Sequence, residues 1–95
     1  MTVAWDGPGT AVVTLVGEID LQTQGRLHAQ LVDVIGQGAT RLVVDLDGVT
    51  FLDSSGLAAL IEGIKLGASI TVRRAQAGVR RVFDIVEIEG LTVED

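Results

Sequence analysis

The stretch Val43-Val44-Asp45-Leu46-Asp47-Gly48-Val49-Thr50-Phe51-Leu52-Asp53-Ser54-Ser55-Gly56-Leu57 decides the fold of this chain. With Leu42 before it, residues 41–46 form a nearly continuous apolar run, the pattern of a central strand covered on both faces. Asp53-Ser54-Ser55-Gly56 is then a polar turn that opens a helix. Leu57, Leu60, Ile61 and Ile64 recur at helical spacing as its apolar stripe, and Gly67 after Leu66 is a C-cap. The other face would expose Ala58, Ala59, Glu62, Gly63 and Lys65, a surface of small residues. Such a surface suits either close approach of a partner helix or a thinly decorated solvated face.

Working outward, Asp6-Gly7-Pro8-Gly9 is turn chemistry between two short apolar segments. Residues 2–5 and 10–16 read as a hairpin-like pair of strands, with Val12, Thr14 and Val16 on one side and Val13 and Leu15 on the other. Asp20 is a candidate N-cap for a helix with Leu27, Leu31, Val34 and Ile35 inside and Arg26, Gln30 and Asp33 outside. Gly36 and Gly38 end that helix. Beyond the central stretch, residues 70–72 are a short strand. Val79, Val82, Phe83 and Val86 give a third amphipathic stripe, and Val93 belongs to a last short strand. Alternating strands and helices predict an α/β layer fold, a mainly parallel or mixed sheet with helices packed on it.

The 95 residues suffice for one domain, taken as residues 1–95. Apolar residues are 47% and charged residues 21%, an ordinary globular composition. No apolar run nears the ~20 residues of a spanning helix, and the first residues lack a signal-peptide pattern, so the expected compartment is the cytoplasm. Cysteine is absent and His28 is the one histidine, which excludes disulfides, thiolate chemistry and multi-histidine metal sites. Tyrosine is absent, aromatic residues are 3%, and the formal net charge is -6. Neither nucleic acid nor an acidic lipid surface is an expected partner for such a chain. A basic protein surface is compatible with it.

The turn at Ser54 reads in two ways. Asp and Ser are favoured helix caps because their oxygens take orphan backbone N–H groups. A serine hydroxyl at a helix N-terminus is also placed where a phosphate would meet free N–H donors and a favourable dipole. Other constellations are weaker. Glu18 and Asp20 resemble an acid–base pair, but Asp20 serves as a cap and Glu18 as a surface charge. Asp45, Asp47 and Asp53 suggest a metal or aspartyl-phosphate pocket, yet Asp45 lies within the strand run and Lys65 is the one lysine. Ser54 does not sit in a G-x-S-x-G elbow, and His28 lies mid-helix, which argues against a hydrolase. No phosphate-binding G-x-x-x-x-G-K-[ST] loop is present. Arg73, Arg74, Arg80 and Arg81 are expected to pair with Asp84, Glu87 or Glu89, or to dock on an acidic surface.

Residues 43–57, preceded by Gly17-Glu18-Ile19-Asp20-Leu21 and followed by Val79-Arg80-Arg81-Val82-Phe83, resemble the STAS domain, as found in bacterial anti-sigma-factor antagonists. Two departures are visible: residues 57–70 are shorter than the family norm by about one helical turn, and residues 79–90 are longer by a similar amount. The resemblance implies a binding module rather than an enzyme. Its partner would be an anti-sigma factor that is also a serine kinase, with a serine phosphatase reversing the mark. Ser54 would be the phosphoacceptor. Asp53, Ser55 and Gly56 would shape its turn, and Glu18 and Asp20 would lie in a neighbouring loop facing the partner. The chain itself would carry no cofactor, ATP and magnesium belonging to the kinase. The alternative implied is a STAS-like subunit of a lipid-transport or signalling assembly, docking constitutively, with Ser54 only a cap.

Overall fold

The computed structural model describes residues 1–94; the last residue of the expected domain, Asp95, lies outside the described residues. Among the described residues there are five strands and three helices, in the order β1 (Thr2–Trp5), β2 (Thr10–Ile19), α1 (Gln24–Gly36), β3 (Arg41–Leu52), α2 (Ser54–Lys65), β4 (Ser69–Arg73), α3 (Ala77–Asp84) and β5 (Leu91–Glu94). The strands lie in one sheet in sequence order, β1-β2-β3-β4-β5. β1 pairs antiparallel with β2, as the Gly-rich turn predicts, and the remaining pairs are parallel. The mixed α/β architecture expected from the alternation is therefore present.

The core is a single cluster. From the sheet it takes Ala11, Val13 and Leu15 of β2, Leu42, Val44, Leu46 and Val49 of β3, and Ile70 and Val72 of β4. Leu27, Leu31 and Val34 of α1, Ala59 and Leu60 of α2 and Val79 and Phe83 of α3 join them, as do Ile19 and Leu52 at the strand ends and Ala39 and Ala68 in the loops. Burying one such side chain contributes roughly 1.5–3 kcal/mol. Val86, expected on the third stripe, falls beyond the end of α3 at Asp84, so that stripe ends at Phe83.

The face of α2 differs from expectation. Ala59 and Gly63, read as exposed, are buried, while Leu57, Ile61 and Ile64 are only partly covered. The cause is close packing of α2 on α1 and β4. A Cβ built on Gly63 would lie 3.3 Å from Ile70 Cδ1 and 3.5 Å from Leu31 Cδ1. The helix approaching the small residues is thus α1 of the same chain.

β2 also runs further than residues 10–16, continuing to Ile19 through Gly17 at φ +90°, a conformation that suits glycine. β3 reaches Leu52 by carrying two bulges. Two steps on β2 from Thr14 to Val16 oppose three on β3 from Asp45 to Gly48, and one step from Gly17 to Glu18 opposes two from Val49 to Phe51. Each bulge adds one unpaired residue to β3 and bends it. Side chains take up the polar groups of Asp47 within the first bulge. Its N–H donates to Asp45 Oδ1 at 3.0 Å, and its carbonyl accepts from Gln76 Nε2 at 3.0 Å.

Asp45 is the one charged residue buried among those described, at 2% exposure. Arg74 Nε lies 3.1 Å from Asp45 Oδ2, Arg74 Nη2 donates to the same oxygen, and Arg73 Nε is 3.4 Å away. These arginines therefore serve β3 rather than Asp84, Glu87 or Glu89. Only Arg80 among the four is seen paired as expected, with Asp84 at 3.4 Å. Arg74 has φ +57°, an uncommon backbone conformation for a non-glycine residue. The hydrogen bond from Arg74, above all, holds the Asp45 carboxyl below the ordinary aspartate value of 3.8, against the raising effect of burial.

Asp45→Asn is expected to lower stability at neutral pH by about 2 kcal/mol, the scale of a hydrogen bond to a charged group, as read by urea unfolding. A depressed folded-state pKa contributes stability above the unfolded value and loses it as the group protonates. The gap between the two proteins should therefore narrow as pH falls below 3.8. A constant gap down to the acid transition would contradict the assignment.

Candidate functional site

The C-terminal ends of β2 and β3 lie side by side, with Glu18 opposite Phe51 and Ile19 opposite Leu52. Asp53 N–H extends the pairing by donating to Ile19 O at 3.3 Å. Asp20 and Ser54 each follow immediately on this bond, so Glu18, Asp20, Asp53 and Ser54 are brought to one end of the sheet. The helices α1 and α2 both start there, as crossover helices between parallel strands must.

Asp53 is the N-cap of α2, with extended backbone at φ -112° and ψ -170°. Its Oδ1 accepts from Ser55 N–H at 2.8 Å and from Gly56 N–H at 3.4 Å. The side chain thereby occupies two of the orphan donors of the first turn. Ser54 is the first helical residue and is exposed, whereas Ser55 is half-buried and Gly56 buried. The expectation that a phosphate at Ser54 would meet free N–H donors needs correction on this point. The amides of Ser55 and Gly56 are already engaged, so a phosphate on Ser54 would project outward.

Gly56 fixes where this turn sits. A Cβ there would lie 2.8 Å from Ile19 Cγ2 and 3.0 Å from Leu52 Cγ. Only a hydrogen at this position lets the helix start press against the ends of β2 and β3.

Asp20 caps a turn, though not the turn expected. α1 begins at Gln24 with Thr23 as its N-cap, and no side chain bonds that cap. Asp20 instead organises residues 20–23. Its Oδ1 accepts from Gln22 N–H at 3.0 Å and Thr23 N–H at 3.1 Å, while Thr23 Oγ1 accepts from Asp20 N–H at 2.8 Å. The Thr23 hydroxyl also lies 3.0 Å from the Glu18 carbonyl, which ties the turn to the strand end. The Glu18 side chain is exposed.

Two apolar residues on this end were not singled out from the sequence. Leu21 is 72% and Phe51 47% exposed. Their signal was available: Phe51 precedes inward-facing Leu52, and Leu21 follows a polar turn residue. With Glu18, which lies opposite Phe51, they are exposed groups at the same end of the sheet as Ser54. Among the described residues no group of three or more His, Cys, Asp or Glu is disposed to hold a metal ion, and no helix is long and apolar enough to cross a membrane.

A family model described as the Mlab STAS domain matches residues 2–93. This chain belongs to the STAS domain family. Relatives within the family sharpen the picture. The anti-sigma-F factor antagonist RsfB of Mycobacterium tuberculosis is 42% identical over 71 residues, which are 74% of this chain and 57% of RsfB. The chain thus spans little more than half the length of that relative. Among solved structures, the anti-sigma factor antagonist SpoIIAA of Bacillus superposes in both its forms. The unphosphorylated form gives a TM-score of 0.76 at 20% identity, over 99% of this STAS domain and 86% of that chain. The phosphorylated form gives 0.74 at 19% identity, over 99% and 90%. An anti-sigma factor antagonist from Mycobacterium paratuberculosis superposes with a TM-score of 0.73 at 29% identity, over 88% of this chain and 75% of that one.

Two substitutions test the site's construction. Asp53→Ala removes the cap and should cost about 1 kcal/mol, with a matching loss of helical signal at the start of α2. Gly56→Ala inserts a methyl group against Ile19 and Leu52 and should cost about 1–3 kcal/mol. A Gly56→Ala protein as stable as the parent in thermal unfolding would show that the turn has room to spare.

Proposed function

We propose that this STAS domain is an anti-sigma-factor antagonist. In its unphosphorylated form it binds an anti-sigma factor that is also a serine kinase, which frees a sigma factor. Phosphorylation of Ser54 ends the binding, and a serine phosphatase restores it. The chain acts as a cytoplasmic binding protein and kinase substrate, without catalysis of its own. The observation that carries this reading is the division of labour at the α2 N-terminus: Asp53 holds the cap, and the exposed Ser54 hydroxyl is left for another protein. The 42% identity to an anti-sigma-F factor antagonist supports it.

The physics of the switch follows from that division. A phosphate adds roughly -1.5 to -2 charge. The helix dipole favours it by about 0.3–1 kcal/mol, and repulsion from Asp53 is about 1 kcal/mol per unit charge pair at ~4 Å in water. These effects nearly cancel, so the fold survives modification. Burying an unpaired charge in an interface, by contrast, costs several kcal/mol. Each ~1.4 kcal/mol is tenfold in affinity. The switch therefore works at the docking surface, where Glu18 and Ser54 face the partner on turns shaped by Asp20, Asp53, Ser55 and Gly56.

Protein carrying phosphoserine at position 54 should unfold at the same urea concentration as the unmodified chain. It should bind the anti-sigma factor from the same genome at least a hundredfold more weakly by calorimetry. Equal binding of both forms, with Ser54 unmodified in peptides recovered from stressed and unstressed cells, would favour a constitutively docked subunit of another assembly. Unfolding on phosphorylation would overturn the mechanism.

A further inference from the structure

Beyond Ser54, α1 and α2 are separated at their N-terminal halves by a groove of about 260 Å³. Gln24, Gly25 and His28 line it from α1, and Ala58, Ala59 and Glu62 from α2. No side chain longer than a methyl rises from Gly25, Ala58 or Ala59, and a Cβ built on Gly25 would meet nothing within 4 Å. Ala58 stands one helical turn after Ser54, so the groove continues the surface described above. Its volume falls below the ~300–1,000 Å³ usual for sites that enclose a small molecule. It fits one long side chain.

The formally charged group on the groove wall is Glu62. Its side chain is 50% exposed, and its contact with Lys65 is 3.5 Å long, with Lys65 67% exposed. An exposed pair of this kind holds its carboxylate only weakly. Carboxylate lone pairs therefore remain for a second cation. The opposite wall is lined by Gln24 and His28. The net charge of -6 adds a favourable field for a basic partner.

We propose that this groove receives an arginine side chain of the protein partner. Its alkyl stem lies over Gly25, Ala58 and Ala59, and its guanidinium reaches Glu62 beside the His28 ring. Arginine fits better than lysine because its planar fork matches a carboxylate and stacks on a ring. The identity of the partner rests on the function proposed above. The chemistry of the groove rests on α1 and α2 alone.

The test uses n-butylguanidinium as a probe of the whole chain, followed by amide NMR, with n-butanol as the neutral comparison. Saturable shifts confined to Gly25, His28, Ala58, Ala59 and Glu62 are expected, at concentrations at least fivefold lower for the guanidinium. Glu62→Gln should abolish that preference. Gly25→Leu should block the groove while leaving the thermal midpoint unchanged or raised, since glycine is a poor helix former. Shifts scattered over the acidic surface, equal titration by n-butanol, or an unchanged response in Glu62→Gln would each overturn the proposal. The probe involves neither sigma-factor proteins nor Ser54 phosphorylation, so this result and the outcome of the phosphoserine experiment are separable.

Discussion

The carboxylate of Asp45 is the interaction on which the rest of the structure depends. One buried group takes up the backbone N–H of a bulge in β3 and the guanidinium of Arg74 beyond β4, with Arg73 beside it. The bulge would otherwise leave an unpaired amide, and the chain leaving β4 would lack an anchor. With both in place, β3 bends along its length and still ends beside Ile19 of β2. The start of α2 is set by that ending. α3 packs against β3, whose bulge carbonyl Gln76 caps. Asp45 thus acts on the end of the sheet that carries Ser54 through the course of the strand rather than by touching it.

At that end, the acidic residues of the motif have different tasks. Asp20 and Asp53 direct oxygens at backbone amides and shape their turns. Glu18 has an exposed side chain, and Leu21 and Phe51 present apolar surface. Under the proposed function, a partner would meet exposed apolar side chains beside negative charge, on turns that Asp20 and Asp53 already hold in shape. Such preorganisation limits the ordering cost of association.

The strands, the helices and the turn at Ser54 were legible because periodicity and capping are local signals. The face of α2 was not. Gly63 reads as surface, but its missing side chain is what allows Leu31 and Ile35 of α1 to approach, a property visible only once both helices are placed. The Asp45 ion pairs were hidden for a related reason. Their partners lie 28 and 29 residues away, and nearer carboxylates offered a simpler pairing. The extension of β2 through Gly17 was missed because a glycine followed by two polar-flanked residues also reads as a turn. At the site, Asp20 was legible as a capping residue, whereas the turn it caps required coordinates.

Because the cap of α2 belongs to residue 53, residue 54 is free of structural duty. A lineage could exchange this serine for threonine, alanine or an acidic residue and keep the same domain. Under the proposed function, control by a kinase could be gained, lost or fixed in one state by a single codon, without a compensating change in the core. The arrangement separates the evolution of regulation from the evolution of the scaffold.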